Sequence, residues 1–262
     1  MAASVDERPI LLCRVDVPPH LQQELDDWSP EHFDDFGRHP TVQAVSSYKI
    51  IRDFDPVAGL PAAFNATQAT RFIPYICLDI PSMHEWVGSD IVTGGLDEPT
   101  LARESKYPPI AEEPFNGTML TVQAVRGALG TDHPGRGAIV AERWEVGANR
   151  AAEFDAWLAG HLERYAALDG WIRLRILHGD RTAEHRFPWD RYLGKGNRMV
   201  LAELREGVDP KAFVRAPAYG EMLLDSLRWD AVLPYTTREV GESFILQDVS
   251  HISESSRSAQ AA

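Results

Sequence analysis

One helix is written twice in this chain. Residues 153–165 read EFDAWLAGHLERY and residues 24–36 read ELDDWSPEHFDDF. The copies share Glu24/Glu153, Asp26/Asp155, Trp28/Trp157, His32/His161 and Phe36/Tyr165, each pair 129 residues apart. In a chain of 262 residues that repeat restricts the fold to two comparable units, each large enough for one core.

The repeat runs beyond the helix. ILLCRVDV (10–17) and IVAERWEV (139–146) precede the two copies, and each is a β-branched apolar run closed by Pro18-Pro19 or Gly147, which predicts strands. After the helix, VSSYKII (45–51) matches WIRLRIL (171–177), and RFIPYICLDI (71–80) matches RMVLAELRE (198–206). Second helices follow at PSMHEWVGSDI from Pro81 and DPKAFVRAPAYGEMLLDSL from Asp209, the latter opened by an Asp cap and a first-turn Pro. GTMLTVQAV (117–125) and RWDAVLPYTT (228–237) supply the fourth strands. The order β-α-β-β-α-β, twice, predicts an α+β fold of two tandem ferredoxin-like halves, at 8–128 and 138–245. Each is a four-stranded antiparallel sheet with both helices on one face, so the two halves can cover each other's bare faces. LGTDHPGRG (129–137) reads as the linker and 246–262 as a flexible tail. The long irregular segments 53–70, 93–115 and 178–197 read as binding loops or lids.

Composition narrows the partners. A net charge of −13 and no clustered basic stretch argue against nucleic acid. No apolar run is long enough to span a bilayer, and the N-terminus lacks a basic flank before an apolar core, so no membrane partner and a cytoplasmic location are expected. Cys13 and Cys77 sit inside apolar strands and read as buried thiols rather than a disulfide framework.

On the repeated helix, Leu25, Trp28, His32 and Phe36, like Phe154, Trp157, His161 and Tyr165, recur every three or four residues and share the apolar face. Each histidine is therefore expected at the helix–sheet interface between aromatic neighbours. Burial lowers a histidine's pKa and a nearby carboxylate raises it, so proton transfer near neutral pH is physically reasonable; Asp16 and Glu145 are the strand candidates for that carboxylate. The competing reading is a core histidine bonded to a backbone carbonyl.

The segment DAWLAGHLERYAALDGWIRLRIL resembles the helix-then-strand signature of dimeric α/β-barrel proteins, the superfamily of EthD-like proteins, antibiotic-biosynthesis monooxygenases, muconolactone isomerase and polyketide cyclases. His161 and Gly170 match that signature; the first half keeps Asp26, Trp28 and His32 but carries Thr41 near the glycine position. The resemblance implies an α/β barrel of two packed sheets within one chain, with a pocket between sheet and helices, worked without metal or organic cofactor. It makes His161 the leading acid/base, with His32 its counterpart. Arg143 and Arg173, with Arg175, would hold an anionic oxygen, although ion pairing with Glu142, Glu145 or Glu203 is the plainer reading of each. Trp157, Tyr165, Trp28, Tyr48 and Tyr75 would line the pocket, and Trp189 and Tyr192 of the 178–197 loop would close over it. That loop also carries His178, Asp180, Glu184, His185 and Asp190, but no tight H-x-H or H-x3-H pair, so no metal is expected.

Phosphate-binding glycine loops, G-x-S-x-G elbows, Cys/His zinc patterns and kinase signatures are missing. The leading expectation is a cofactor-independent lyase, isomerase or cyclase that uses a histidine on a small aromatic or enolisable substrate. Its alternatives are a cofactor-free monooxygenase, a non-catalytic small-molecule-binding protein, and a haem protein of chlorite dismutase-like type. Uncovered strand edges and family habit make a homodimer compatible with the sequence.

Overall fold

The computed structural model describes residues 7–15, 17–37, 39–51, 71–89, 116–127, 138–179, 197–226, 229 and 241–252. The first half supplies β1 (Ile10–Val15), α1 (Gln22–Gly37), β2 (Val42–Ile51), β3 (Arg71–Cys77), α2 (Ile80–Val87) and β4 (Asn116–Gly127). The second supplies β5 (Ile139–Trp144), α3 (Ala151–Ala166), β6 (Trp171–Gly179), β7 (Arg198–Leu204), α4 (Pro210–Arg215), α5 (Pro217–Ser226) and β8 (Gly241–Ile252). This is an α+β, ferredoxin-like arrangement built on one curled antiparallel sheet. Its strand order, β1-β3-β2-β8-β5-β7-β6-β4, closes on itself through the β1–β4 pairing. The halves meet edge to edge at two seams, β2 with β8 and β4 with β6.

Local chemistry places the helices. Asp79 accepts from the Ser82 amide at 2.7 Å to open α2, and Asp209 accepts from the Lys211 amide at 3.0 Å to open α4, each followed by a proline in the first turn. The end of α3 is held by the Trp171 indole, which donates to the Tyr165 carbonyl at 2.7 Å. Gly170 then turns the chain into β6 with φ +104°, a conformation that side chains resist.

Alternation along the strands makes two kinds of core. Val140, Trp144, Ile176, Val200 and Ala202 face the helices of their own half and pack with Phe154, Trp157, Leu158, Tyr165, Tyr219 and Trp229. Leu11, Val45, Ile73 and Tyr75 do the same against Leu25, Trp28, Phe33 and Trp86. The opposite strand faces, Ile10, Leu12, Tyr48, Ile50, Phe72, Ile139, Ala141, Leu177, Met199 and Leu201, form a third cluster drawn from both halves. Each half also ties its first helix to its third strand by the same pair: Arg71 Nη2 to Asp26 at 2.9 Å, and Arg198 Nε to Asp155 at 2.9 Å.

Three expectations are corrected. The second half's fourth strand is Gly241–Ile252, not 228–237; within the latter, Trp229 stands in a short turn and is buried in the helix-facing core, while 230–237 lie outside the described residues. Gly241–Ile252 takes the fourth-strand place because it pairs with β2 on one side and β5 on the other. Because β8 continues to Ile252, the stretch from 246 to 252 is strand, not tail. Every strand has two neighbours, so uncovered edges give no reason for a homodimer. The proposed linker 129–137 and loops 53–70 and 93–115 lie outside the described residues, as does 180–196 of the third loop.

Candidate functional site

The second-half helix–sheet interface holds a sealed polar cluster in an otherwise apolar core. Glu142 of β5 sits between Val140 and Trp144 on the helix-facing side of its strand and is 1% exposed. Its Oε2 lies 2.8 Å from His161 Nε2 on α3. Its Oε1 accepts from the Tyr165 hydroxyl, one turn further along α3, and from the Tyr219 hydroxyl of α5 at 3.0 Å. His161, Tyr165 and Tyr219 are likewise buried.

The electrostatics are internally consistent. Burial alone would raise the Glu142 pKa, but His161 and the two phenols outweigh it and hold the carboxyl below its ordinary 4.5. Burial, with the Glu142 charge and Tyr219 adding to it, pushes the Tyr165 phenol well above its usual range, so it stays a donor. With Glu142 ionised, Nε2 of His161 must carry the proton it shares, which fixes the ring and leaves Nδ1 as the variable atom. Nδ1 is buried and has no hydrogen-bond partner.

Aromatic rings wall the imidazole. Trp157 lies 4.8 Å from it on one side and Trp144 meets it edge-on at 5.9 Å, centroid to centroid. The Trp144 indole nitrogen is also buried without a partner. Trp157 instead donates to Asp225 of α5 at 2.9 Å. Outside this wall, an open groove of about 560 Å³ runs between α3 and α5, over Gly160, and reaches Trp157 and His161; Arg164 and Asp225 pair across it at 3.2 Å.

The other expected residues are dispersed. His32 is partly buried, its ring 4.3 Å from Trp28 and 6.1 Å from Phe33, and burial pushes its pKa down to about 3. At the repeat spacing, the position of Glu142 is occupied by Cys13 and that of Tyr165 by Phe36, so the carboxylate–phenol cluster has no counterpart in the first half. Tyr48 and Tyr75 share no pocket: Tyr48 packs in the core shared by both halves, and Tyr75 against Phe33 and Trp86. Arg173 is bound to Glu203 by its Nε at 2.8 Å, on the strand faces opposite His161. Arg143 follows Glu142 in β5 and so points away from the imidazole. Trp189 and Tyr192 lie outside the described residues, as does Asp16. Glu145 is not the histidine's partner; it accepts from the Asn197 amide at 3.3 Å.

Glu142 and Tyr219 are thus the cluster members that sequence reasoning passed over. The signal was strand parity. Val140, Trp144 and Val146 already define the helix-facing side of β5, and Glu142 belongs to that series whereas Glu145 does not. Among the described residues, no three His, Cys, Asp or Glu side chains are grouped to hold a metal ion, and no helix is long and apolar enough to cross a membrane. Cys13 and Cys77 are not joined in a disulfide, and burial pushes the Cys77 thiol up to about 12.

No family model matches the chain, and no curated protein matches its sequence. Solved structures do resemble it. An anthrone oxidase-like protein is 13% identical, with 97% of each chain covered and a TM-score of 0.58. A Fusobacterium nucleatum protein provisionally named a monooxygenase is 13% identical over 94% of this chain and 95% of its own, with a TM-score of 0.54. A Lactobacillus acidophilus protein named in the same way is 10% identical over 95% and 97%, with a TM-score of 0.50. At such identities the shared property is the fold alone.

Proposed function

We propose that this chain is an enzyme whose working site lies in the second of two duplicated halves, and that His161 is its general base. The observation that carries this reading is the 2.8 Å hydrogen bond from His161 Nε2 to a buried Glu142 carboxylate, with Nδ1 left unpartnered. A carboxylate behind a histidine fixes its tautomer and stabilises the imidazolium that forms when the other nitrogen takes a proton. The aromatic walls favour a small aromatic or enolisable compound. In the step itself a carbon–hydrogen bond breaks, the electron pair stays on the substrate as an enolate, and the proton moves to Nδ1. Isomerisation or cyclisation is complete when the proton is returned to another carbon or oxygen, and elimination when the enolate expels a leaving group that takes the proton; none of these requires an organic cofactor. The first half, with Cys13 at the carboxylate position, serves as scaffold.

A second outcome for the same enolate is supported by the fold shared with an anthrone oxidase-like protein. The enolate reacts with dioxygen to a hydroperoxide, which loses water to leave a carbonyl; dioxygen is the oxidant, and one is consumed for each water released.

Deuterium uptake separates these readings from a binding protein. The wild type should speed exchange of the acidic C–H of 2-tetralone in heavy water, followed by proton NMR, and His161→Ala should return exchange to the buffer rate. Anthrone, followed by oxygen uptake, tests the second outcome. A wild type no faster than buffer on either compound sinks the enzyme reading.

A further inference from the structure

The sealed cluster leaves two polar atoms unused, His161 Nδ1 and the Trp144 indole N–H. They sit on adjoining rings whose planes meet at 88°. A buried indole N–H ordinarily finds an acceptor, and leaving one unmet costs about 1–3 kcal/mol. Two such atoms on neighbouring rings 5.9 Å apart, centroid to centroid, one able to take a proton and the other only able to donate, suit a particular group. That group has an acidic hydrogen and, a bond or two away, an oxygen that becomes negative when the hydrogen leaves.

Access follows from the same contacts. Trp157 and His161 both line the α3–α5 groove, and both are ring neighbours of Trp144, with Trp157 at 5.7 Å. Gly160 keeps the groove floor low, since a side-chain carbon built there would meet nothing within 4 Å. Trp157 is tethered from the groove side by Asp225, which Arg164 also holds. The imidazole itself is closed to solvent, so a ligand from the groove meets it by displacing the Trp157 ring, 4.8 Å away.

We infer that the site takes a planar phenol or enolisable aromatic ketone through the α3–α5 groove, with the Trp144 N–H holding its oxygen while His161 Nδ1 takes its proton. This rests on the reading of His161 as the base and adds the residue that recognises the oxyanion. The bond broken is O–H or C–H, the pair remains on the ligand, and the new imidazolium charge is balanced by Glu142. Trp144 is a binding residue here; it neither gives nor takes a proton.

4-Nitrophenol tests the assignment, because its anion absorbs in the visible and its neutral form does not. Bound to the wild type, the probe should be ionised at a pH where the free phenol is not. Trp144→Phe should lower the ionisation constant of the bound probe roughly 10- to 100-fold, the worth of one hydrogen bond to a charged acceptor, while still exchanging 2-tetralone at a reduced rate. His161→Ala should abolish the ionisation. Equal ionisation in wild type and Trp144→Phe overturns the Trp144 assignment and leaves the base intact. A wild type that exchanges 2-tetralone without ionising 4-nitrophenol overturns the inference alone, and one that does neither overturns the base as well. If Trp144→Phe fails to fold, the indole N–H signals of the wild type carry the test. A downfield shift on adding 4-nitrophenol, in the one signal that survives Phe replacement of each of the other six tryptophans in turn, upholds the assignment; no shift overturns it.

Discussion

Glu142 and His161 stand 2.8 Å apart, carboxylate to Nε2, with both side chains closed to solvent and only one of the imidazole's nitrogens engaged. Glu142→Gln keeps the volume and removes the charge that an imidazolium needs. Exchange of 2-tetralone should fall by about 100-fold or more, by analogy with the range for a positioned acid–base group. Glu142→Ala also leaves two phenols and a histidine unmet and should cost about 3–5 kcal/mol in urea unfolding.

Tyr165 and Tyr219 approach the same carboxylate oxygen from different helices. Replacing either by Phe removes one hydrogen bond to a charged group, a loss of about 1.5–3 kcal/mol. Because both bonds end on one atom, each phenol partly covers for the loss of the other, and the double variant should lose more than the sum of the singles; a double-mutant cycle by chemical denaturation measures the difference.

Acid should act on the two halves over different ranges. His32 titrates near 3 when folded and at 6.5 when unfolded, so its contribution is whole above 6.5 and drains away as pH falls towards 3. Glu142 is held below 4.5 in the fold, so what it contributes persists above 4.5 and is lost only beneath it. His32→Phe should therefore flatten the stability curve between pH 6.5 and 4.5, and Glu142→Gln should flatten it below 4.5, as read from urea midpoints at a series of pH values.

The Arg173–Glu203 pair is a structural ion pair between neighbouring strands, buried at both ends. Glu203→Ala strands the guanidinium and should cost about 3–5 kcal/mol. The folded fraction of Arg173→Met should exchange 2-tetralone at the wild-type rate, which an oxyanion role for Arg173 would forbid.

Gly127 ends β4 with φ +93°, and a side-chain carbon there would lie 2.2 Å from the Ile172 carbonyl oxygen. Gly127→Ala should lose about 1–3 kcal/mol through backbone strain at the β4–β6 seam, seen as a lowered Tm.

Much of this was legible because repetition and periodicity are local properties. The shared Asp, Trp and His on two helices, and the apolar runs beside them, specified the element order through β7, and Asp26 and Asp155 proved to hold equivalent arginines. What escaped depended on parity or on distance. Aligning Asp16 with Glu145 favoured the wrong carboxylate, because a shift of three residues moves a strand side chain to the opposite face. Tyr219 reaches Glu142 from 77 residues away, a pairing that no local pattern announces. Tyr48 and Tyr75 looked equivalent as strand aromatics, yet they occupy different cores.

The two seams have a consequence for how the chain is made. β8 is the last of the described strands in chain order, and it joins β2 to β5. Until the ribosome has released it, β2 presents an open row of amides and carbonyls to any extended peptide nearby, and β4 waits in the same way for β6. The nascent first half therefore carries two adhesive borders that only its own second half can close, and chaperone demand should peak before β6 emerges.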